Sequence, residues 1–198
     1  MVGIIDYNTG NLKSVQNALA RLSAEYIITS DINALKRCSH IILPGVGNAA
    51  WAMENLKCTG LNGEIKSFTQ PVLGICLGMQ IMCRYSEEDN TECLGIFNNE
   101  VKHICSCTDK KIKIPHVGWN NIDMLDSELY KNIQNGNYVY FVHSYCADIN
   151  ENTIARCSYG TDFSASLKKD NFMGCQFHPE KSGITGEMII KNFLEMKL

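Results

Sequence analysis

Four short apolar runs punctuate the first 76 residues: VGIIDY (2–7), AEYIIT (24–29), HIILPG (40–45) and PVLGIC (71–76). Their cores do not alternate apolar with polar residues, which is the pattern of strands buried on both faces. Helical spacing follows each run. Gly10 and Asn11 open a helix on which Leu12, Val15, Leu19 and Leu22 recur, and Asp31 caps INALKRC. Two helical stretches lie near 49–57 and 61–68, and LGMQIMCRYSEE (77–88) reads as another helix. Strand–helix alternation of this kind builds an α/β fold, with an open, mostly parallel sheet and helices on both faces.

The second half changes character. LGIFNNEVKHIC, KIPHVGWNNIDML, NYVYFVHSYC, TIARCSYG, FSASLKK and FMGCQFH are short, closely spaced strand-like runs. They are expected as antiparallel strands added beside the parallel sheet. SELYKNI (127–133) reads as a short helix, and GEMIIKNFLEMKL closes the chain as another. No repeat or linker divides residues 1–198, so a single domain is expected.

With 45% hydrophobic residues among 198, such a domain can bury a sizeable core. The net charge of −3 forms no basic stripe, so nucleic acid is not an expected partner. No apolar run approaches the roughly 20 residues that span a bilayer, so neither is a membrane. MVGIIDYNTGNLKS lacks a basic leader region and meets Asp6 at once, unlike a signal peptide. The expected location is therefore cytoplasmic, with most of the ten cysteines as free thiols. No C-x-x-C pair occurs, and neither a metal nor a cofactor is expected.

One cysteine is set apart by its neighbours. Gly74-Ile75-Cys76-Leu77-Gly78 places a thiol between two glycines where a strand gives way to a helix, the thiol form of a nucleophile elbow. The glycines let strand and helix pack closely around a sharp turn. The helix start favours negative charge on the sulfur, and the Leu77 N–H is placed to hold an oxyanion. A buried core cysteine in a glycine-bordered turn is the competing reading.

A thiol nucleophile needs a base, and the base an orienter. Of five histidines, His178 stands out, in GCQFHPEK. Pro179 biases it toward extended backbone, in which His178 and Glu180 project to one side. The carboxylate then holds the ring, giving Cys76–His178–Glu180. Pro44-Gly45-Val46-Gly47 ends the third strand at the carboxyl edge of the sheet, where ligands bind, and its glycines let an N–H turn toward an oxyanion. His143 lies in an apolar strand run and reads as structural. Gln80, one helical turn after Cys76, reads as a pocket residue or a solvated glutamine.

Together, P-G-x-G, G-x-C-x-G-M-Q and H-P-E resemble the class I, triad-type glutamine amidotransferases over essentially the whole chain. The resemblance extends to one branch, the glutaminase subunits of imidazole glycerol phosphate synthase, through IIDYNTGNLKSV (4–15), LPGVG (43–47), GICLGMQ (74–80), PHVGWN (115–120), FVHSY (141–145) and QFHPEKSG (176–183). It implies a flavodoxin-like sheet and glutamine as substrate. Cys76 would form a glutamyl thioester, while Gly45, Val46, Gly47, Leu77, Gln80, Glu88, Ser144 and Tyr145 line the pocket. It further implies a heterodimer with a cyclase subunit, a (β/α)₈ barrel that receives the ammonia. Asn11, Pro115, His116, Trp119, Asn120 and Lys181 would lie at that interface, although Trp119 also suits a core or hairpin aromatic. Isolated subunits of this kind are poor glutaminases, which implies that the Gly45–Gly47 strand flips when the partner is engaged.

Two features depart from the pattern: Asn48-Ala49-Ala50-Trp51 after PGVG, where a small residue and then phenylalanine is usual, and the cysteine-rich stretch 93–107. They leave open a paralogue that feeds ammonia to another synthase, for example in sugar amination. A cysteine peptidase or deglycase of similar fold is disfavoured, because Leu77 rather than histidine follows the cysteine. A non-catalytic module is disfavoured because all three triad positions are filled.

Overall fold

The computed structural model describes residues 1–8 and 11–197. Gly10, expected to open the first helix, lies outside the described residues. The first half alternates as the sequence implies. Strand β1 (Val2–Ile5) leads to α1 (Leu12–Arg21), β2 (Tyr26–Thr29), α2 (Ile32–Lys36), β3 (His40–Leu43), α3 (Ala49–Cys58), α4 (Leu61–Glu64) and β4 (Val72–Ile75). Asp31 caps α2 by accepting from the Asn33 N–H at 2.9 Å, and Asn48 caps α3 through the Trp51 N–H at 3.1 Å. The expected 61–68 helix is α4 plus a 3-10 turn over Ile65–Ser67.

Helix α5 (Leu77–Met82) is half the length its pattern suggests. All six residues are buried, and the chain turns extended at Cys83. The Ile81 and Met82 carbonyls accept from the backbone N–H groups of Leu94, Ile96 and Phe97, which closes the helix. Residues expected to continue it instead join the sheet as β5 (Tyr85–Ser86), paired antiparallel with β6 (Thr91–Glu92) and parallel with β7 (Glu100–His103).

The remaining strands are β8 (His116–Ile122), β9 (Asn137–His143), β10 (Tyr145–Ala147), β11 (Thr153–Tyr159), β12 (Thr161–Lys169) and β13 (Phe172–Cys175), and α6 (Gly183–Glu195) ends the chain. The segment 127–133 forms only a 3-10 turn, Glu128–Tyr130, started by the Ser127 side chain. The large sheet runs β2-β1-β3-β4-β13-β12-β10-β7-β5-β6, with β11 paired to β12. Its first five strands are all parallel, and their order is that of flavodoxin-like sheets.

Two second-half expectations are corrected. FMGC does not belong to the antiparallel addition on its β4 side: β13 lies parallel to β4, in register from Phe172↔Val72 to Cys175↔Ile75. Strands β8 and β9 pair only with each other, as a hairpin standing off the main sheet.

Side-chain parity sets the two faces. Ile4, Ile42, Leu73 and Ile75 pack with Val15 and Leu19 of α1 and Ile189 and Phe193 of α6. Ile5, Ile41, Leu43 and Val72 pack with Leu35 of α2, Ala52 and Leu56 of α3, and Met79 of α5. Helices therefore cover both faces of the parallel sheet. Cys38, Cys83, Cys146, Cys157 and Cys175 are buried and fill the core as small apolar groups. Among the described residues, no helix is long and apolar enough to cross a membrane.

Candidate active site

The parallel pairing of β4 and β13 carries both halves of the site to one edge. Cys76 follows β4, and His178 lies three residues beyond β13, so the two chain ends emerge side by side. Cys76 adopts φ 53° and ψ −110°, a backbone state side chains rarely take, and it is the N-cap of α5. The glycines around it are dictated by contact. A Cβ at Gly78 would lie 1.9 Å from the Leu43 carbonyl oxygen, and one at Gly74 would lie 2.8 Å from the Gly78 backbone. Gly45 packs the same way, since a Cβ there would lie 2.9 Å from the Gly78 nitrogen. The elbow and the 44–47 strand end are thus wedged together. Tyr7 donates its hydroxyl proton to the Pro44 carbonyl at 2.6 Å, which anchors that strand end.

His178 and Glu180 meet, but not as an extended segment. Pro179–Lys181 is a 3-10 turn, and it is this turn that returns the carboxylate to the ring: His178 Nδ1 lies 2.8 Å from Glu180 Oε1. Asn11 Nδ2 donates to the same oxygen at 2.8 Å, so Asn11 positions the carboxylate. Ser182 Oγ donates to the His178 carbonyl at 2.7 Å and accepts from the Tyr140 N–H at 2.9 Å, while the His178 N–H donates to the Tyr140 carbonyl. The β8–β9 hairpin is thereby tied to the histidine's backbone.

Burial works against charge on the His178 ring. The Cys76 sulfur and the Glu180 carboxylate outweigh it and raise the ring's pKa to about 10. Its Nε2 is buried with no hydrogen-bond partner among the described residues, and it lines the same cleft as Cys76. A ring with its pKa raised that far holds its proton at neutral pH, and this unpartnered N–H is free to donate it into the cleft.

The cleft measures about 340 Å³ and takes in Val46, Gly47, Leu77, Gln80, Glu88, Ser144 and Tyr145, together with Cys76 and His178. Gly45 is not part of the lining; it packs on the elbow, against Gly78 and Leu77. Gln80 is buried rather than solvated, and its Nε2 donates at 2.9 Å to both the Tyr145 carbonyl and Gln176 Oε1. Glu88 reaches the cleft from a 3-10 turn after β5, not from a helix, and accepts the Ala49 N–H at 2.7 Å. Burial and then Asp89 push its carboxyl pKa upward against that hydrogen bond.

The expected interface residues divide. Pro115, Trp119 and Lys181 are exposed, and Trp119, at 55% exposure, is not a core aromatic. His116 is not available to a partner. It is 3% exposed, stacked between Phe141 and Tyr159, with Nδ1 3.0 Å from His143 Nε2. Burial holds its pKa down to about 4. Asn120, half-buried, donates to the Ser158 carbonyl at 3.1 Å. His143 is buried and bonded to the Tyr145 carbonyl, so it is structural, although it also lines the cleft. Tyr138, Val117 and Val142, which no motif singles out, join Trp119 on one face of the hairpin, opposite buried Val139, Phe141 and His143. Gln176, within the QFHPEKSG run, carries no signal of its own.

A sequence model of the family "Glutamine amidotransferase class-I" matches residues 3–196. Imidazole glycerol phosphate synthase subunit HisH of Bacteroides fragilis (strain YCH46) is 53% identical over 195 residues, which cover 98% of this chain and 99% of that protein. Subunit HisH 2 of the same synthase from Legionella pneumophila (strain Paris) is 42% identical over 198 residues, covering 100% of this chain and 98% of that protein. A crystal structure of a glutamine amidotransferase superposes with a TM-score of 0.74 at 16% identity, covering 98% of this chain and 97% of that one, a likeness of fold.

Proposed function

Because the chain belongs to the class-I glutamine amidotransferases, we propose that Cys76, His178 and Glu180 hydrolyse glutamine and that the ammonia passes to a separate cyclase subunit. That subunit would make imidazole glycerol phosphate and aminoimidazole carboxamide ribotide. The observation that carries this is the cleft in which a strained cysteine and a raised-pKa histidine lie together at the carboxyl edge of the sheet.

The Cys76 sulfur attacks the side-chain amide carbon of glutamine, and the Leu77 N–H with an N–H of the Gly45–Gly47 strand holds the oxyanion. The carbon–nitrogen bond breaks as His178 gives its proton to the departing ammonia. The now neutral ring takes a proton from water, whose oxygen attacks the thioester. Glutamate leaves, and the sulfur and imidazolium are restored. Glu180, held by Asn11, keeps the ring turned toward the sulfur. Glu88 supplies a carboxylate for the substrate's amino group, while Gln80, Ser144 and Tyr145 shape the pocket.

Glu180→Gln tests the histidine's part. Without the carboxylate the His178 pKa falls, so the alkaline limb of kcat/KM moves down by about one pH unit. An unmoved limb would mean that another group sets it. The linked stability follows the same sign. A raised folded-state pKa stabilises below the ordinary histidine value of 6.5, and that contribution is lost as pH rises through about 10.

The partner's docking face is the outer side of the β8–β9 hairpin, where Val117↔Val142, Trp119↔Tyr140 and Asn121↔Tyr138 are opposed. Five of these six side chains are apolar or aromatic, and the face adjoins exposed Lys181 and Ile184. A (β/α)₈ barrel would present the rim of its strand ends here and collect ammonia beside the His178 turn. Trp119→Ala is expected to weaken cyclase binding by about 2 kcal/mol, roughly 30-fold, in a titration of the two subunits. Unchanged affinity would place the interface elsewhere.

A further inference from the structure

Gln176 is fully buried, two residues before His178, and its amide orientation is set by its neighbours. Gln80 Nε2 donates to Gln176 Oε1 at 2.9 Å. Gln80 is fixed in turn, because the same nitrogen donates to the Tyr145 carbonyl. With Oε1 committed as acceptor, the Gln176 NH₂ group points the other way, and its Nε2 lies 3.8 Å from Cys76 Sγ. The sulfur is the one partner of that nitrogen among the described residues. Besides the His178 ring, whose pKa it raises, the sulfur meets the Val142 carbonyl at 4.0 Å, an acceptor that only a protonated thiol can use. The Gln176 amide is a donor, and a donor binds sulfur more strongly once it is negative.

We infer that Gln176 is a catalytic donor to the nucleophile: its side-chain amide stabilises negative charge on Cys76 Sγ before attack, and Gln80 holds it in that orientation. This rests on the reading of Cys76 as the nucleophile. The two contacts on the sulfur then act in sequence. The Val142 carbonyl accepts a hydrogen bond only while the sulfur is protonated; once that proton is on the His178 ring, the Gln176 amide remains as the donor to the sulfur. The amide is buried and already oriented, so no reorganisation accompanies the change. Gln176 contributes to the state of the sulfur rather than to glutamine binding, because its amide is spent on Gln80 and Cys76.

The test uses the assembled two-subunit enzyme. Gln176→Met keeps the volume and removes the donor. It is expected to lower kcat for glutamine hydrolysis about 30-fold with KM within twofold, and to slow iodoacetamide alkylation of Cys76 about tenfold at fixed pH. Gln176→Glu, which still accepts from Gln80 but cannot donate, is expected to do the same or worse. Unchanged alkylation and kcat in a folded variant overturn the inference. Cys76→Ala is run beside them. If it still hydrolyses glutamine, the nucleophile assignment fails; if it is inactive while Gln176→Met is not, only this inference fails. Should neither Gln176 variant fold, the side-chain ¹⁵N resonance of Gln176 decides in the unmodified enzyme. It is expected to move on titration of the site and to stay still in Cys76→Ala. A resonance that titrates identically in both overturns the inference.

Discussion

Replacing Cys76 by alanine or serine is expected to lower glutamine hydrolysis on the order of 10⁴-fold or more, with cyclase binding unchanged. The size follows from the proposed mechanism, in which Cys76 is the one nucleophile and His178 the one acid–base group, each useless without the other. Alanine offers no nucleophile. Serine offers a hydroxyl that must lose its proton during attack, to a ring whose charge was set by the partner now removed: the Cys76 sulfur is among the groups that raise the His178 pKa. Binding should survive because Cys76 is buried in the cleft, whereas Val117, Trp119, Tyr138 and Tyr140 of the hairpin face do not line it. The backbone supplies a second readout. At φ 53° and ψ −110° Cys76 stores strain that glycine would not, so Cys76→Gly should be inactive yet more stable than the parent by about 1 kcal/mol in urea unfolding. Hydrolysis retained in Cys76→Ala would remove the elbow from the mechanism altogether.

The second large effect is structural. Gly78→Ala puts a methyl group 1.9 Å from the Leu43 carbonyl oxygen, a backbone atom that cannot swing aside. Either α5 moves off β3 or the strand end moves, and both shift the elbow and the Gly45–Gly47 strand. We expect a loss of about 3 kcal/mol in denaturant unfolding together with loss of hydrolysis. Gly63→Ala is the control: a Cβ there meets nothing within 4 Å, in a helical segment where alanine is favoured. It should be neutral or stabilising by up to about 1 kcal/mol. Equal stability of the two variants would mean that the close contact of α5 with β3 is not what fixes the elbow.

Much of the fold could be read from hydrophobic runs. Strands β1 to β3 are apolar segments followed by Asp6, Ser30 and Pro44, β4 runs into the Cys76 elbow, and the period of Val15 and Leu19 marks the core face of α1. What periodicity cannot carry is pairing. Phe172–Cys175 looks like any short strand, yet its parallel match to Val72–Ile75 is what brings His178 to Cys76. Nor does it show where a wholly buried helix stops. The Leu77–Met82 pattern continues into Cys83, but the chain leaves the helix because the segment around Leu94–Phe97 caps it and β7 recruits Tyr85 and Ser86.

At the site, the sequence pointed to the three residues that the fold brings together, Cys76, His178 and Glu180, but not to their local geometry. Pro179 starts a 3-10 turn rather than extending the strand, and the same two residues meet by another route. One signal was present and unused. In an extended 116–122 segment, even and odd residues face opposite ways, so exposing Trp119 turns His116 inward. Gln176 had no such signal, since its part depends on Gln80, 96 positions away.

The most direct test of the account measures glutamate and ammonia release from glutamine by this chain alone, with a histidine-pathway cyclase, and with that cyclase plus its ribulosyl ligand. The account predicts little hydrolysis by the chain alone and strong stimulation when cyclase and ligand are both present, all of it abolished by Cys76→Ala. Full-rate hydrolysis by the isolated chain, or hydrolysis indifferent to the cyclase, would contradict it.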